Sequence, residues 1–510
     1  MTQETGSRPK EQQETRSPRL ALRVFIAALL LYLGTTGGSL SSTDAVVMFD
    51  LTQSLVERHS IALSGNVLGF ESNRGTDGRY YSQYGVGQSI VNVPFYVAGR
   101  AIERATGARL GKPESLLKAA VSLSSAVAAA ATVAVIFLIA VAMLGDKRAA
   151  LVGAALAGAG SLLWPYARFG FNAALSALIV ATLTLLVWRG AREDRRALVA
   201  FGGWVAGFGW LTRHEFPLVI IPVAIWIAVT APRPDRWTRL MAFLPGVASG
   251  GLLWCAYNLA RFGRPFFVGY EPYYTGGGFY GLLFSPGASV FLFWPAVVLC
   301  VAGLLLFARA NRNAAWLLAI PTIVTFVYAG LLLDWPGGRS YGPRYLVPAL
   351  PLLTVGTGWL YAEASLTGRR WIGAALVISA LLQLPGVLVD YSRVSQAWAS
   401  TATDDQLTRR LYRWESSPFV LNTKAAVTAV PRNIAYLTGR RSIPELPARA
   451  DAADRDFAQQ FAFSLDFWWL YLFYLRAIPA TVAVVLGLTM WTGAVIVATY
   501  AWRATEVRQA

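Results

Sequence analysis

Apolar runs too long for any strand recur along nearly the whole chain, separated by short segments that carry arginine and lysine. Residues 115–143, SLLKAAVSLSSAVAAAATVAVIFLIAVAM, hold a single charged side chain, Lys118. A barrel strand crosses a bilayer in about 9–11 residues and a helix in about 20, so runs of this length fit helices alone. Composition agrees, because 55% hydrophobic against 14% charged residues lies outside the soluble globular range. The expected fold class is an all-α polytopic membrane protein.

Apolar length places candidate spans at 20–39, 115–143, 149–166, 172–188, 197–212, 216–231, 240–258, 288–308, 314–333, 344–364, 371–390 and 478–501, about twelve helices. With the N-terminus inside, the loops GDKR, RGAREDRR, APRPDRWTR, FARANRN and LTGRR become cytoplasmic. Each is short and carries at least two Arg or Lys, as the positive-inside rule requires. Counting residues 86–104 as a span would invert every later loop. That segment is therefore expected on the external surface, in the first external loop, as an amphipathic helix broken at Pro94.

The organisation that follows is a disordered cytoplasmic tail over 1–19 and a transmembrane module over 20–390, with external loops at 40–114 and 259–287. An external subdomain over 391–477 comes next, then a last span and cytoplasmic tail over 478–510. The first apolar run ends in no A-x-A-like site and is expected to stay uncleaved. The chain shows no internal repeat, which counts against transporter architectures built from paired halves.

The formal charge of +17 is dispersed over loops and forms no basic stripe. It reads as membrane topology and contact with anionic membrane lipids, with no nucleic-acid partner. The two cysteines, Cys255 and Cys300, each lie in an apolar run and suggest no disulfide framework. Two histidines, His59 and His214, make no His-rich metal site. No P-loop, HExxH, GxSxG or CxxC pattern stands where it can act, and the internal loops are too short to build a nucleotide pocket.

The residues able to do chemistry collect on the external side. Ser42 and Thr43 precede Asp44 and an apolar pattern at Val47, Met48, Leu51 and Leu55, an N-capped helix expected at the membrane interface. Asp44 in its first turn complements the helix dipole, or serves as a general base kept ionised by that dipole. Asp50 and Glu57 share a face and read as a solvated stripe. In GGRSYGPRY, residues 337–345, glycines allow close backbone approach to a ligand, while Arg339 and Arg344 offer forks matched to phosphate oxygens or to lipid headgroups. Asp334 is available to pair with one of them. Arg213, His214 and Glu215 interrupt two apolar runs, as a solvated short loop or as part of a site. Arg168 is a further external cation with the same phosphate and headgroup readings. Tyr80, Tyr81, Tyr84 and Tyr270 belong to a set of external aromatics that form an interfacial belt or pack on a sugar or isoprenoid.

An Asp at the head of a surface helix just after the first span resembles the GT-C class of membrane glycosyltransferases, which use polyprenyl-phosphate-linked sugars. GRYYSQYGVGQSIVNVPFY and DWPGGRSYGPRYLVPALPLL resemble segments of bacterial RgtA-to-D-like and protein-mannosyltransferase-like members. The resemblance implies a GT-C-like fold and a catalytic base at Asp44. It also implies an inverting transfer to a lipid, glycan or protein acceptor at the external face. Arg339 and Arg344, helped by Arg213 and Arg168, then hold the donor phosphate, with Tyr80, Tyr81, Tyr84, His214, Glu215 and Tyr270 as substrate contacts. Many relatives carry an acidic pair where this chain has Asp44 followed by Ala45, which leaves a divalent cation, Mg or Mn, as an open cofactor question with no metal ligands assigned.

Two other classes compete. A lipid-linked-oligosaccharide flippase or secondary transporter requires ionisable residues near the middle of its spans, which are nearly free of them here. A noncatalytic scaffold predicts Asp44 and Arg344 far apart.

Overall fold

The computed structural model describes residues 16–65, 72–107, 114–271, 273–443 and 464–506, and within them the chain is helical apart from one small antiparallel hairpin. In order, the elements used below are α1 (Arg16–Thr35), α2 (Thr43–Gln53), β1 (Ser72–Arg74), β2 (Tyr80–Ser82), α3 (Gly87–Thr106), α4 (Ser115–Leu144) and α5 (Lys147–Ala159). Then come α6 (Asn172–Arg192), α7 (Arg196–Thr212), α8 (Pro217–Thr230), α9 (Arg236–Phe262), α10 (Gly278–Phe284), α11 (Val297–Ala310) and α12 (Arg312–Leu331). The chain closes with α13 (Thr354–Glu363), α14 (Leu366–Leu388), α15 (Tyr391–Ala399), α16 (Pro418–Leu437), α17 (Trp468–Tyr474) and α18 (Ala480–Arg503).

The protein is a multi-pass membrane protein. Among the described residues, 7 helices are long and apolar enough to cross a bilayer: α1, α4, α6, α9, α12, α14 and α18. Helices α8 and α11 are apolar but shorter, at 14 residues each. The expected count of about twelve full spans is not reproduced. Two of the missing spans are interrupted at prolines, which have no N–H to donate and end or delay a helix. The 344–364 stretch opens as 3-10 turns at Arg344–Leu346 and Leu350–Leu353 among Pro343, Pro348 and Pro351, and only then enters α13. The 288–308 stretch is interrupted at Trp294 and Pro295 before α11 begins.

The two ends of the bundle differ in chemistry. Helix α6, 21 residues and so about 30 Å long, runs from Asn172 to the basic loop at Arg192. At that far end the loops lace together, Arg239 to Asp194 at 2.8 Å and Arg196 to Asp235 at 3.3 Å. The Trp226 indole donates to the Asn313 carbonyl there at 2.9 Å. The near end carries α2, α3, the hairpin and the short helices after α14.

Several local expectations change. Most of the tail 1–19 and the last residues, 507–510, lie outside the described residues, and from Arg16 the chain is already helical. Helix α3 runs unbroken through Pro94, because packing along α4, where Gly99 faces Leu117 and Ala120, outweighs the one lost hydrogen bond. Helix α2 is not laid on an interface. From Asp44 to Thr52 almost every side chain is buried within the protein. Asp50 is not solvated either, since it accepts from the Ser64 amide at 2.8 Å, while Glu57 pairs with Arg100 and Tyr96. Of the segment 391–477, residues 444–463 lie outside the described residues. The rest is stitched to the near end, where Trp468 donates its amide to the Thr36 carbonyl at 2.8 Å and Trp469 its indole to the Gly34 carbonyl at 3.0 Å.

Candidate functional site

A cavity of about 740 Å³ opens at the near end of the bundle. Segments remote in the chain wall it: Ser41–Asp44, Gln83–Gly85, Phe171–Asn172, Thr212–Glu215, Tyr270 with Glu271, Tyr328 to Asp334, and Gly338 to Tyr345. A volume of this order falls in the range of small-molecule sites.

Asp44 and Arg344 meet inside it. The Ser42 hydroxyl accepts from the Ala45 amide at 3.2 Å and starts α2, which puts Asp44 in the first turn with its carboxylate toward the cavity wall. Arg344 comes from a loop that only glycines allow. Gly337, Gly338 and Gly342 all have φ near +73°, in the left-handed region. The Ser340 hydroxyl ties that loop by donating to the Pro336 carbonyl at 2.7 Å, and the Tyr341 hydroxyl donates to Leu382 at 3.2 Å. Arg344 Nη1 then donates to Asp44 Oδ2 at 2.8 Å. Its guanidinium lies over the Phe171 ring at 4.9 Å and the Tyr345 ring at 5.5 Å. Among the described residues, Arg344 Nε is buried without a partner. Burial, followed by the Asp44 charge, pushes the neighbouring Tyr84 hydroxyl well above its usual range.

A second ion pair faces the same space. Arg213 and Glu215 bond directly, and His214 Nδ1 stands 3.5 Å from Glu215. His214 Nε2 lies 3.3 Å from the Tyr270 hydroxyl and 3.5 Å from that of Tyr328. Burial lowers the His214 pKa against the opposing pull of Glu215, which favours the neutral ring. Burial works to raise Glu215, yet Arg213 and His214 together hold its carboxyl below the usual value. The solvated-loop reading of 213–215 therefore fails, because these side chains are mostly covered and pair with each other. Arg213 Nη1 is buried without a partner among the described residues.

Arg339 also lines the cavity, exposed, and no ion pair to it is found among the described residues. Asp334 accepts from the Gly338 amide at 3.2 Å and forms no ion pair with Arg339 or Arg344; burial raises its carboxyl above the usual range.

Three residues named from sequence stand elsewhere. Arg168 is fully buried, with its Nη2 2.5 Å from Asp466 Oδ2 and its Nη1 on the carbonyls of Gly386 and Val389, so it has no face left for a phosphate in the cavity. Tyr81 is buried against Phe262 and donates to Asp77 at 2.8 Å. Tyr80 is on the hairpin surface, outside the cavity lining. Tyr84, Tyr270, His214, Glu215, Arg213, Arg339 and Arg344 do gather around Asp44. Tyr328, Tyr345 and Glu271 were missed; Tyr345 sat inside the quoted GPRY stretch, whereas Tyr328 is a polar tip near the end of an apolar run, a weak signal.

For a divalent cation, the carboxylates present do not converge. Among the described residues no group of three or more His, Cys, Asp or Glu comes together. Asp44 is engaged by Arg344 and Glu215 by Arg213.

No protein-family model matches the sequence, and no curated protein sequence does. Solved structures do. ArnT from Cupriavidus metallidurans, bound to undecaprenyl phosphate, superposes with a TM-score of 0.50 at 18% identity, covering 98% of this chain and 78% of that one. The Archaeoglobus fulgidus oligosaccharyltransferase tethered with an acceptor peptide gives 0.44 at 13% identity, over 78% of this chain and 60% of its own. The likeness to ArnT is one of fold, and the chain has the GT-C fold that its first-loop Asp and GPRY segment resembled.

Proposed function

We propose, for this chain with the GT-C fold, an inverting glycosyltransferase that moves a sugar from a polyprenyl-phosphate donor to a lipid, glycan or protein hydroxyl at the external face. The observation that carries the reading is the meeting of Asp44 and Arg344 in one cavity. The scaffold alternative required them apart.

The acceptor hydroxyl gives its proton to the Asp44 carboxylate as its oxygen attacks the anomeric carbon. The bond from that carbon to the phosphate oxygen breaks on the opposite side, and the electron pair leaves with the phosphate. Arg344, with Arg339 and Arg213 on the same wall, neutralises the charge that develops there. Arg344 exchanges one carboxylate oxygen for a phosphate oxygen as the donor arrives, which frees Asp44 to take the proton. The external placement is supported by the separation of the cavity from the basic loops by the length of α6.

Asp44→Asn tests the reading. Transfer should fall by about 10²–10⁴-fold, the contribution of a general base, with membrane insertion intact. Retained transfer removes Asp44 from that role.

A further inference from the structure

A second cavity, of about 570 Å³, lies in the other half of the bundle, between α1, α5, α14 and α18. Small residues such as Ala27, Ala155, Gly158 and Ala498 hollow it out, and its lining is apolar but for one end. The one charged side chain among the described residues lining it is Arg369, in the basic loop LTGRR. Arg369 is held in place by the chain itself. Its Nε donates to the Tyr361 carbonyl at 3.1 Å and its Nη2 to the Ala362 carbonyl at 3.2 Å, with the guanidinium 5.0 Å from the Tyr361 ring centre. Tyr361 in turn meets Trp502 edge to face at 6.3 Å, and both rings line the cavity. A fixed guanidinium, a tyrosine and a tryptophan thus mark one mouth, the set of residues that favours the headgroup level of a bilayer.

No acid answers that charge. Arg369 forms no ion pair among the described residues, and neither do Arg370 and Arg23, which are exposed at the same end. Arg23 is placed there by its bond to the Tyr500 carbonyl, at 3.4 Å, two residues from Trp502. A surplus of oriented cations beside an apolar hollow is complementary to an acidic headgroup carrying an acyl chain.

The length of the hollow says what kind of apolar body fits. It runs from Val24 to Leu31 along α1 and from Trp502 to Ala494 along α18, which is about 10–12 Å at the helical rise. The Tyr32 hydroxyl, donating to the Gly158 carbonyl at 2.9 Å, ties α1 to α5 at the deep end. That depth lies within one leaflet of a hydrocarbon core about 30 Å thick, and a partner helix would need a face along the whole span. Gly373, one turn beyond Arg369 on α14, gives the same answer. An added Cβ there meets nothing within 4 Å, so no atom of the protein requires a glycine at a position where glycine weakens a helix. What the missing side chain leaves is room in the hollow.

We propose that this hollow is a binding site for one anionic phospholipid of the leaflet at the basic-loop end, its acyl chain between α1, α5, α14 and α18 and its phosphate on Arg369. The site is separate from the Asp44 cavity and does not depend on the sugar-transfer reading.

The test uses the purified full chain, stripped of lipid in detergent, with dioleoyl phosphatidylglycerol or dioleoyl phosphatidylcholine titrated in and bound lipid counted by native mass spectrometry. One phosphatidylglycerol should bind saturably, about tenfold more tightly than phosphatidylcholine. Arg369→Gln should weaken phosphatidylglycerol about fivefold, the worth of one arginine at an anionic headgroup, and leave phosphatidylcholine nearly unchanged. Arg369→Lys should recover part of the loss. Gly373→Leu, which fills the hollow with a better helix former, should weaken both lipids without lowering the melting temperature of the lipid-free protein. Equal binding of the two lipids by the wild type, or phosphatidylglycerol binding that Arg369→Gln and Gly373→Leu both leave unchanged, overturns the proposal. So does a wild-type dimer that Gly373→Leu splits, since a second copy of the chain would then occupy the hollow.

Discussion

Asp44 and Arg344 stand 300 positions apart in the chain and 2.8 Å apart in space, one at the start of a capped helix and the other in a loop of left-handed glycines. The contact is an ion pair between the proposed base and the proposed phosphate ligand. It has a consequence for binding that differs from its consequence for transfer, because a carboxylate that competes for Arg344 also repels a phosphate.

Asp44→Asn should therefore bind undecaprenyl phosphate more tightly than the wild type, by about tenfold for roughly 1.4 kcal/mol of relieved competition, while losing transfer. Arg344→Gln should lose both. Equilibrium binding to the purified variants checks the sign, and weaker binding by Asp44→Asn would show that the pair does not compete with the donor.

The Arg168–Asp466 pair should behave in the opposite manner. Both side chains are sealed from solvent, and each is tied to the segment that closes the near end. Arg168→Met leaves a buried carboxylate unpaired, a cost of about 3–5 kcal/mol. Thermal melting should drop sharply, and activity per folded molecule should hold. A variant that melts like the wild type yet loses transfer would return Arg168 to the site.

The contrast between these two arginines shows how far the sequence could be read. Apolar length and loop charge were enough for an all-α membrane bundle and for the grouping of polar residues at one end, since both follow from the cost of burying backbone and charge in lipid. The helix cap marked Asp44, and the glycines marked the Arg344 loop. Arg168 carried the same local signal as Arg344, an arginine beside aromatics at a span end. Only the arrival of Asp466, 298 positions on, decides that it is structural. Proline-rich stretches read as full spans for a similar reason, because apolar length does not report where hydrogen bonds are lost.

His214 makes the near end sensitive to acid. Burial holds its folded pKa below the ordinary value of 6.5, so the unfolded chain takes up a proton that the folded one resists. Stability from this group is full above about pH 6.5 and is lost as the pH falls from there through the folded value. Glu215, also depressed, adds its own loss below its ordinary 4.5. Melting temperature should decline on acidification from pH 6.5, and the decline between pH 6.5 and 5 should be shallower in His214→Gln. Equal slopes would mean the ring is protonated without penalty.

Gly337 and Gly338 provide an internal control for how closely Arg344 must be placed. Both have positive φ, +73° and +74°, so alanine at either costs about 1–2 kcal/mol of backbone strain. Their surroundings differ. A Cβ at Gly338 meets nothing within 4 Å, whereas one at Gly337 would lie 2.9 Å from Arg344 Nε and 3.2 Å from its Cβ. Gly337→Ala must push the guanidinium off its line to Asp44, and a misplacement of about 1 Å at a reacting site costs up to a hundredfold in rate. Transfer kinetics should therefore fall at least tenfold further in Gly337→Ala than in Gly338→Ala, at matched loss of melting temperature. Equal rates in the two variants would separate Arg344 from the reacting phosphate, since the backbone strain they share would then account for all of the effect.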